Sequence, residues 1–337
     1  MTPTQITLIV AARNEERHIA ACLDSIFAQT SGLSALEVLV VDGRSTDKTR
    51  EIVEEYVAKR GPGIRLIDNP RQITPCAFNA GLKQTSSPYV GFVSAHSTLA
   101  PDYIAECMLA FDRSGADDVG GPLLMTAEGY VARAIAIATN SPFGVGNANW
   151  RYATEDTFVD TVFPGMYKRE VFDRIGLFDE ELVRNQDDEL NFRLTQSGGK
   201  IFLSPRIKAY YVNRATLFSL WRQYYQYGYW KVRVMQKRGG ASSWRHFVPA
   251  AFVAAILIAL WHGVLFDEHW WAIRGLFSAY GLGAGLFAAR ACKKEGWAYL
   301  PLIPVIFLIL HLSYGIGFLQ GLRQFSAQVK RNSGLGR

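Results

Sequence analysis

Cysteine is scarce in this 337-residue sequence, and its spacing excludes several kinds of site. None of the four cysteines forms a Cys-x-x-Cys pair, which excludes the metal and redox motifs that depend on that spacing. Isolated cysteines are typical of free thiols in a reducing compartment; here they are Cys22, Cys76, Cys107 and Cys292. The first residues also lack a basic segment followed by an apolar stretch, so we predict no cleavable signal peptide.

The sequence also lacks a basic patch of the kind that binds nucleic acid. The net charge is +6 and the isoelectric point about 9.1, but lysine and arginine are not interleaved with aromatic residues in one patch. Many of them flank apolar runs, where they suit an anionic membrane surface or a phosphate-bearing substrate. We therefore predict membrane lipid as a partner and no nucleic acid.

Short runs of β-branched residues alternate with helical patterns in the first hundred residues. This alternation predicts an α/β fold with a doubly wound sheet, in which ligands bind beyond the carboxyl ends of the strands. The predicted strands are 6–11, 36–41, 64–67 and 89–93. Farther along we predict loops at 120–122 and 141–150, helices at 168–175 and 187–196, and a strand at 201–203.

Polar residues follow three of these strands and should meet at one edge of the sheet. Residues 12–15 follow the first strand, Asp42 follows the second, and residues 94–96 follow the fourth. A nucleotide at this edge could receive a base contact from Asp42 and place its diphosphate near His96. A turn or helix-capping role for Asp42 is the alternative. A dinucleotide-dependent oxidoreductase should carry a glycine fingerprint after the first strand, whereas this chain has AARNEE there.

A cluster of acidic residues, NQDDELNFR at 185–193, opens a predicted helix. The helix dipole favours carboxylates at such a start, which gives the cluster a structural explanation. Three adjacent acids nevertheless exceed what a helix start needs. A carboxylate that faces a cleft could remove a proton from an acceptor hydroxyl.

Apolar runs dominate the last third of the chain. Residues 246–266 contain no Asp, Glu, Lys or Arg, and residues 298–321 are apolar despite two prolines. The run at 272–289 is weaker because it contains Arg274 and several glycines. We predict a membrane domain at 236–337 with two to three hydrophobic helices, after a catalytic domain at 1–235. Buried core helices are the alternative for each run.

Six segments, in order, resemble family 2 glycosyltransferases of the GT-A fold over about residues 5–235. They are TLIVAARNEERHIAACLDSI, VLVVDGRSTDKT, NPRQITPCAFNAGL, GMYKREVFDRIGLFDEEL, NQDDELNFRLTQSGGKI and QYYQYGYWK. The chain is most similar to the membrane-bound bacterial exopolysaccharide branch, of which the succinoglycan glucosyltransferases are typical. The apolar tail, with its HLSYGIGFLQG segment, resembles that branch too.

The resemblance implies roles for individual residues. Asp187 matches the catalytic base, with Gln186 where the family usually has Glu, and Asp42 matches the aspartate that contacts uracil. Asp188, next to the base, is assigned to the acceptor side. The resemblance places further residues near the nucleotide-sugar: Ala11, Arg13, Glu15 and Asn79. It places Gln223, Tyr227 and Trp230 in a membrane-proximal segment where relatives hold acceptor or donor.

The chain departs from the family at the motif after the fourth strand. The family has Asp-x-Asp or Asp-x-His there, and this chain has Ser94-Ala95-His96, so the first carboxylate is missing. The resemblance assigns these three residues to the nucleotide-sugar and His96 to a divalent metal. Because the ligand is an imidazole, Mn²⁺ suits the site better than Mg²⁺. The alternative is that His96 is merely polar and the site uses little metal.

The resemblance implies an inverting transferase that moves a hexose from a UDP-sugar to a polyprenyl-diphosphate-linked or polysaccharide acceptor. The expected location is the inner (plasma) membrane, with the catalytic domain in the cytosol. A third full span would then place Arg323, Lys330 and Arg331 outside, against the positive-inside rule. Since Ser94 replaces an acid, a non-catalytic GT-A-fold scaffold or binding protein in polysaccharide assembly is the alternative function.

Overall fold

The structure, a computed structural model, describes six stretches of the chain and divides into two compact units. The described stretches are 6–30, 36–146, 153–213, 216–240, 244–266 and 270–332. The first unit comprises Met1–Met125 and Asn149–Val212, and the second comprises Thr126–Ala148 and Asn213–Arg337. A segment from the middle of the sequence therefore belongs to the same unit as the apolar C-terminal helices.

The first unit begins with alternating strands and helices, as the sequence predicts. In order they are β1 (Ile6–Ala12), α1 (Ile19–Phe27), β2 (Leu36–Asp42), α2 (Thr49–Arg60), β3 (Ile64–Asp68), α3 (Thr74–Leu82) and β4 (Tyr89–Ser94). Strand β1 lies between β2 and β4, β2 pairs with β3, and all three pairings are parallel. Because apolar residues on both faces of β1 and β2 are buried, their sequences are continuous apolar runs.

The chain continues through shorter elements that complete the sheet. They are β5 (Ser97–Leu99), α4 (Tyr103–Ser114), β6 (Asp118–Gly120), β7 (Leu123–Thr126), α5 (Tyr130–Thr139), α6 (Pro142–Val145), β8 (Thr157–Val159), β9 (Gly165–Lys168), α7 (Glu170–Ile175), α8 (Gln186–Gln196), β10 (Ile201–Leu203) and β11 (Ala209–Val212). The large sheet has the order β3-β2-β1-β4-β9-β6-β10-β8, and a small one has the order β5-β11-β7. Strand β9 is antiparallel to both β4 and β6, so the sheet is mixed.

Two sequence predictions need correction here. The segments at 120–122 and 141–150 were expected to be loops. Gly121 and Pro122 are in no helix or strand, but Gly120 ends β6 and residues 142–145 form α6, while 147–150 lie outside the described residues. The helix expected from residue 168 begins at Glu170, because Lys168 ends strand β9 and pairs with Tyr89. Short strands bounded by glycine and proline carry too few residues for periodicity to reveal them.

A buried acid lies in the core of the first unit. Asp118 has no solvent exposure, and neither carboxyl oxygen has a hydrogen-bond partner among the described residues. The nearby hydroxyl of Tyr167 donates its proton to Oδ1 of Asn191 instead, at 2.7 Å. Burial raises the pKa of Asp118 well above the usual range of aspartate. Burial therefore favours the neutral form of this acid over the ionised form.

This raised pKa predicts a pH-dependent effect of Asp118→Asn. The stability that the neutral acid contributes is fully present below the pKa of the unfolded chain and is lost as pH rises toward the raised folded-state pKa. An asparagine cannot ionise, so the variant should unfold at a higher temperature than the parent at pH 8 and show a smaller difference at pH 5. Thermal unfolding of both full chains in detergent measures this. Equal differences at the two pH values would show that Asp118 is ionised in the folded state.

The second unit is helical. Its long helices are α9 (Leu217–Arg238), α10 (Val248–Leu265), α11 (Trp270–Glu295) and α12 (Ile303–Asn332). Three helices in the described part of the chain are long and apolar enough to cross a membrane: Trp244–Leu265, Trp270–Glu295 and Ile303–Ser326. The weak middle run of the sequence is thus a continuous 26-residue helix. The runs that we predicted at 246–266 and 272–289 fall mainly within α10 and α11, whereas the one at 298–321 starts before α12.

Helices α5 and α6 pack against the long helices of the second unit. The ring of Phe143 contacts Tyr280, Phe287 and Phe307, with ring centroids 5.6, 5.2 and 5.0 Å away. His311 lies between two partners, with Nδ1 2.9 Å from the Tyr280 hydroxyl and Nε2 2.8 Å from the Phe143 carbonyl oxygen. These contacts fasten residues 126–146 to α11 and α12.

Glycines allow the backbones of α9 and α12 to come into direct contact. A Cβ atom added to Gly317 would lie 2.1 Å from the Tyr225 carbonyl oxygen, and one added to Gly321 would lie 2.6 Å from that of Tyr229. On the other helix, a Cβ on Gly228 would lie 2.0 Å from the Tyr314 carbonyl oxygen. Small residues at such spacing are typical of closely packed membrane-protein helices.

We expect Gly317→Ala to destabilise the second unit although alanine is the better helix former. The added methyl group would meet backbone, which cannot rotate away, so the helices must separate at a cost of about 1–3 kcal/mol. Gly281→Ala on α11 is the matched control, because a Cβ there meets nothing within 4 Å. The temperature of unfolding in detergent should fall for Gly317→Ala and hold or rise for Gly281→Ala. Equal shifts would show that α9 and α12 do not pack at this distance.

Candidate active site

Three loops of the first unit meet at the carboxyl edge of β1, β2 and β4. The strand register pairs Ala11 with Val41 on one side and with Ser94 on the other, and it pairs Ala12 with Asp42. The amide of Ala95 continues this contact by donating to the Ala11 carbonyl oxygen at 3.2 Å. Ala11, Asp42, Ser94 and Ala95 therefore lie side by side, as expected from the sequence.

The first two loops are tied together by hydrogen bonds. Asn14 adopts a left-handed conformation, with a φ of 54°, which turns its side chain toward the second loop. Its side-chain Oδ1 accepts from the backbone amide of Thr46 at 2.8 Å, and its backbone amide donates to the Ser45 hydroxyl at 2.9 Å. The Glu15 amide donates to the Thr49 hydroxyl at 2.7 Å. These bonds fix the backbone on which Arg13 and Glu15 stand.

Asp42 is buried and bonded within its own loop. Its side chain has no exposure, and its carboxylate accepts from the amide and hydroxyl of Ser45. The guanidinium of Arg50 lies 3.2 Å from Oδ2 and also 3.6 Å from Asp68 on β3. The carboxylate thus holds the loop and carries its own counter-ion. A contact with a nucleotide base stays a prediction. Sequence analysis missed Arg50, since nothing in a helix surface pattern marks an ion pair across a loop.

Arg13 and Gly43 lie against each other at the ends of β1 and β2. A Cβ atom on Gly43 would lie 3.2 Å from Cβ of Arg13, so the arginine side chain passes over the glycine. The Arg13 side chain is exposed at this edge. It is a cation at the position where a diphosphate is expected.

Glu15 and His96 form a pair across the first and third loops. Oε1 of Glu15 lies 2.7 Å from Nδ1 of His96, and the two side chains are 20% and 19% exposed. The imidazole also packs against the ring of Tyr211 in a T-shaped arrangement, with ring centroids 4.7 Å apart. A carboxylate on one ring nitrogen fixes the ring's orientation and leaves the other nitrogen for a ligand, as in many metal-binding histidines. Neither the Glu15–His96 pair nor the contact of His96 with Tyr211 could be predicted from the sequence.

The residues at this edge are too few to hold a metal ion unaided. Among the described residues, no three His, Cys, Asp or Glu side chains cluster as metal ligands. A divalent cation needs four to six ligands, and this edge offers one imidazole and one carboxylate already paired with it. The pair fits a cation only if the phosphate oxygens of a nucleotide supply the remaining ligands.

Cys22 lies beneath the third loop and is chemically inert. Its thiol contacts the carbonyl oxygen of Ser94 at 3.8 Å. Burial, followed by the charge of Glu15, raises the pKa of this thiol to about 12. All four cysteines are buried free thiols in the structure, and a reducing compartment stays a prediction.

The acidic cluster lies in the first turn of α8, and its members differ in their surroundings. Glu189 is buried and forms two bonds to Arg193, at 2.7 and 2.8 Å. Arg193 also donates to the Leu177 carbonyl oxygen at 2.8 Å, so this acid fastens α8 to the preceding loop. Asp187 and Asp188 are partly exposed. Burial and the charge of Asp118 are the main causes that raise the pKa of Tyr167, and the charge of Asp187 raises it further, so Asp187 lies near Tyr167 on β9.

Asn79 has a structural use that the sequence did not predict. It is buried, its amide nitrogen donates to the Phe178 carbonyl oxygen at 2.9 Å and to Glu180 at 3.0 Å, and its Oδ1 accepts from the Phe178 amide. The bond from Asn79 is the main cause that lowers the pKa of Glu180. Asn79 therefore anchors the segment that leads into α8. Its contact with a nucleotide-sugar stays a prediction.

The predicted acceptor residues lie on α9, in the second unit. The amide of Gln223 donates to the Tyr227 hydroxyl at 2.9 Å, one helical turn away. Trp230 packs on Phe325 of α12, with ring centroids 5.8 Å apart. The structure thus brings Gln223 and Tyr227 together and uses Trp230 in helix packing.

Comparisons with known proteins agree with this architecture. Residues 7–176 match the family model described as Glycosyl transferase family 2. The chain is 28% identical over 333 residues to the succinoglycan biosynthesis protein ExoA of Rhizobium meliloti (strain 1021), with 98% of each chain covered. It is 27% identical to a dolichyl N-acetyl-alpha-D-glucosaminyl phosphate 3-beta-D-2,3-diacetamido-2,3-dideoxy-beta-D-glucuronosyltransferase of Methanococcus voltae, covering 96% of this chain and 99% of that one.

A solved structure is similar over most of the chain. It is the mannosyltransferase PcManGT of Pyrobaculum calidifontis in complex with GDP-Man and Mn²⁺, with a TM-score of 0.58 and 20% identity. The match covers 94% of this chain and 87% of that one. At this identity the likeness concerns the fold, which is of the GT-A type.

Proposed function

The chain belongs to glycosyltransferase family 2, and from that premise we propose that it transfers a hexose from a UDP-sugar to a lipid-linked or polysaccharide acceptor at a membrane. The observation that carries the proposal is the shared edge of β1, β2 and β4. Three loops meet there, with the Glu15–His96 pair at one side and Asp42 at the other. Such an edge is where doubly wound sheets bind nucleotides.

Two observations support the proposed class of acceptor: the descriptions of two relatives and the apolar helices of this chain. The relative in Methanococcus voltae is described as acting on a dolichyl-linked sugar phosphate, and the relative in Rhizobium meliloti as serving succinoglycan biosynthesis. Three long apolar helices would bring the site to a bilayer, where a polyprenyl-diphosphate acceptor lies. Gln223 and Tyr227, which share a hydrogen bond on α9, are the candidates to contact it, together with Asp188.

The chemistry is a single displacement with Asp187 as the base. Asp187 takes the proton of an acceptor hydroxyl as that oxygen forms a bond to the anomeric carbon. The bond from that carbon to the diphosphate breaks on the opposite face, and the nucleoside diphosphate leaves with the electron pair. The configuration at the anomeric carbon is therefore inverted.

Other residues hold the donor in place. Asp42 orders the second loop and is proposed to meet the uracil, and the exposed Arg13 cation is placed to balance charge on the leaving diphosphate. Asn79, proposed to lie near the nucleotide-sugar, also holds the segment before α8 in position and so helps to place the helix that carries Asp187.

A divalent cation, with Mn²⁺ preferred to Mg²⁺, is part of the proposal. His96 would hold it through the ring nitrogen that does not face Glu15, and phosphate oxygens would complete its ligands. When bound, the cation supplies Lewis-acid stabilisation of the leaving phosphate.

The membrane is proposed to be the inner (plasma) membrane, with the first unit in the cytosol, where nucleotide sugars are made. Lys237, Arg238 and Arg245 precede the first long apolar helix, which is the arrangement that the positive-inside rule predicts for a cytosolic start.

A screen of UDP-sugars tests the proposal. The purified full chain is incubated with each sugar and a bacterial lipid extract, and release of UDP is measured with and without the extract. We expect one donor to give lipid-dependent release. Binding of UDP without release from any donor would instead support a non-catalytic scaffold in polysaccharide assembly.

A further inference from the structure

Helix α9 runs along α12 in the same direction. Gly317 lies against Tyr225, and Gly321 lies against Tyr229. Residue numbers therefore increase in the same direction along both helices. Farther on, Phe325 packs on Tyr229 with ring centroids 5.0 Å apart and lies 5.7 Å beneath the guanidinium of Arg233. These contacts span residues 314–325 of α12, which is about half of its apolar length.

Helix α9 is too polar for the hydrocarbon core of a bilayer. It contains Arg222, Lys231, Arg233, Lys237 and Arg238 as well as three glutamines, and it is not among the described helices that could cross a membrane. Each such cation costs several kcal/mol at the centre of a bilayer. The helix also starts only five residues after Val212, the last residue of the first unit. Helix α9 therefore belongs at the membrane surface, on the side of the first unit.

Because α12 is paired with α9, the C-terminal half of α12 also belongs at the membrane surface. If residues 314–325 stay beside α9, only residues 303–313 remain to enter the bilayer, and at 1.5 Å per residue they extend about 16 Å. A hydrocarbon core is about 30 Å thick. Helix α12 then cannot cross, although its composition alone would allow it.

Helices α10 and α11 have the apolar outer surface that is expected of a pair of helices that crosses a membrane. They contact each other through Phe252 and Tyr280, whose rings stack at 4.7 Å. Their outer positions expose large apolar side chains of the kind that lipid covers; these include Leu257, Ile258, Trp261, Trp271 and Leu282.

We propose that the α10–α11 hairpin alone crosses the membrane, and that α9 and the C-terminal half of α12 form a paired platform on the headgroup layer, on the side of the membrane from which the chain enters α10. Both ends of the chain then lie on one side. This inference goes beyond the proposed transfer reaction and does not depend on it.

The charge pattern agrees with this arrangement. Arg245 before α10 and Lys293 and Lys294 at the end of α11 fall on the side of the first unit. So do the basic residues near the end of α12, namely Arg323, Lys330 and Arg331. The acidic Asp267 and Glu268 fall on the other side. The conflict with the positive-inside rule that three full spans create therefore disappears.

Cysteine labelling of the full chain in its membrane tests the proposal. Single cysteines are introduced as Lys59→Cys in the first unit, His269→Cys between α10 and α11, and Ser333→Cys near the end of the chain. An impermeant maleimide is applied to spheroplasts and to inverted vesicles. The parent chain, whose four cysteines are buried, gives the background.

We expect the cysteines at 59 and 333 to be labelled from one side and the cysteine at 269 from the other. Labelling of 333 from the same side as 269 would establish that α12 crosses and overturn the platform. Labelling of all three from one side would overturn the hairpin. The test compares only the sides of the membrane from which the three cysteines are labelled. It can therefore be interpreted even if the proposed transfer reaction is wrong.

Discussion

Replacing Asp187 with asparagine should lower the rate of sugar transfer by about 100-fold or more while leaving UDP binding nearly intact. A positioned general base contributes roughly 10²–10⁴-fold, and asparagine keeps the size of aspartate but cannot accept the proton. Asp187 stands in the first turn of α8, which Glu189 and Arg193 fasten to the loop before it, so the substitution should not move the helix. Transfer rate and UDP affinity are measured on the same preparation.

Asp188→Asn is the matched control, since it removes the neighbouring carboxylate from the same helical turn. We expect this variant to keep most of the transfer rate, with an effect on acceptor affinity. If Asp187→Asn instead retained more than half of the parent rate and Asp188→Asn lost it, the base would be Asp188.

The second large effect is expected at His96. His96→Ala should weaken Mn²⁺-dependent UDP binding by about 10–100-fold, the range typical for groups that hold or orient a metal ligand. Without UDP, the parent should bind Mn²⁺ weakly, because the edge offers too few protein ligands. Calorimetry of Mn²⁺ with and without UDP measures both.

Two further variants separate metal binding from simple polarity. Ser94→Asp restores the carboxylate that the family usually has and should tighten Mn²⁺ binding. Glu15→Gln removes the charge that orients the imidazole at 2.7 Å and should weaken the ternary complex by roughly 10-fold. If His96→Ala bound Mn²⁺ and UDP as tightly as the parent, the diphosphate charge would have to be met by Arg13 or another cation.

Local pattern was enough to predict the parallel part of the sheet. The runs that form β1, β2 and β4 are continuous and apolar because both of their faces are buried, and their polar ends follow directly. The placement of Ala11, Asp42 and Ser94 at one edge follows from strand order alone. Short elements such as β9 and α6 were missed or misjudged, since a strand of four residues has no period to detect.

The partners of the site residues could not be predicted because they lie far away in sequence. Glu15 meets His96 across 81 positions, and Asn79 meets Phe178 across 99. No local signal marks such pairs. The same holds for the pairing of α9 with α12, which only the glycines hint at.

The anomeric configuration of the product tests the proposed single displacement most directly. With the donor found in the screen, the linkage formed on the lipid acceptor is read from its NMR coupling constant. Attack by a hydroxyl that Asp187 has deprotonated predicts that an α-linked UDP-sugar gives a β-linked product. An α-linked product would contradict the account, because it requires two displacements or a front-face reaction in which Asp187 is not the base.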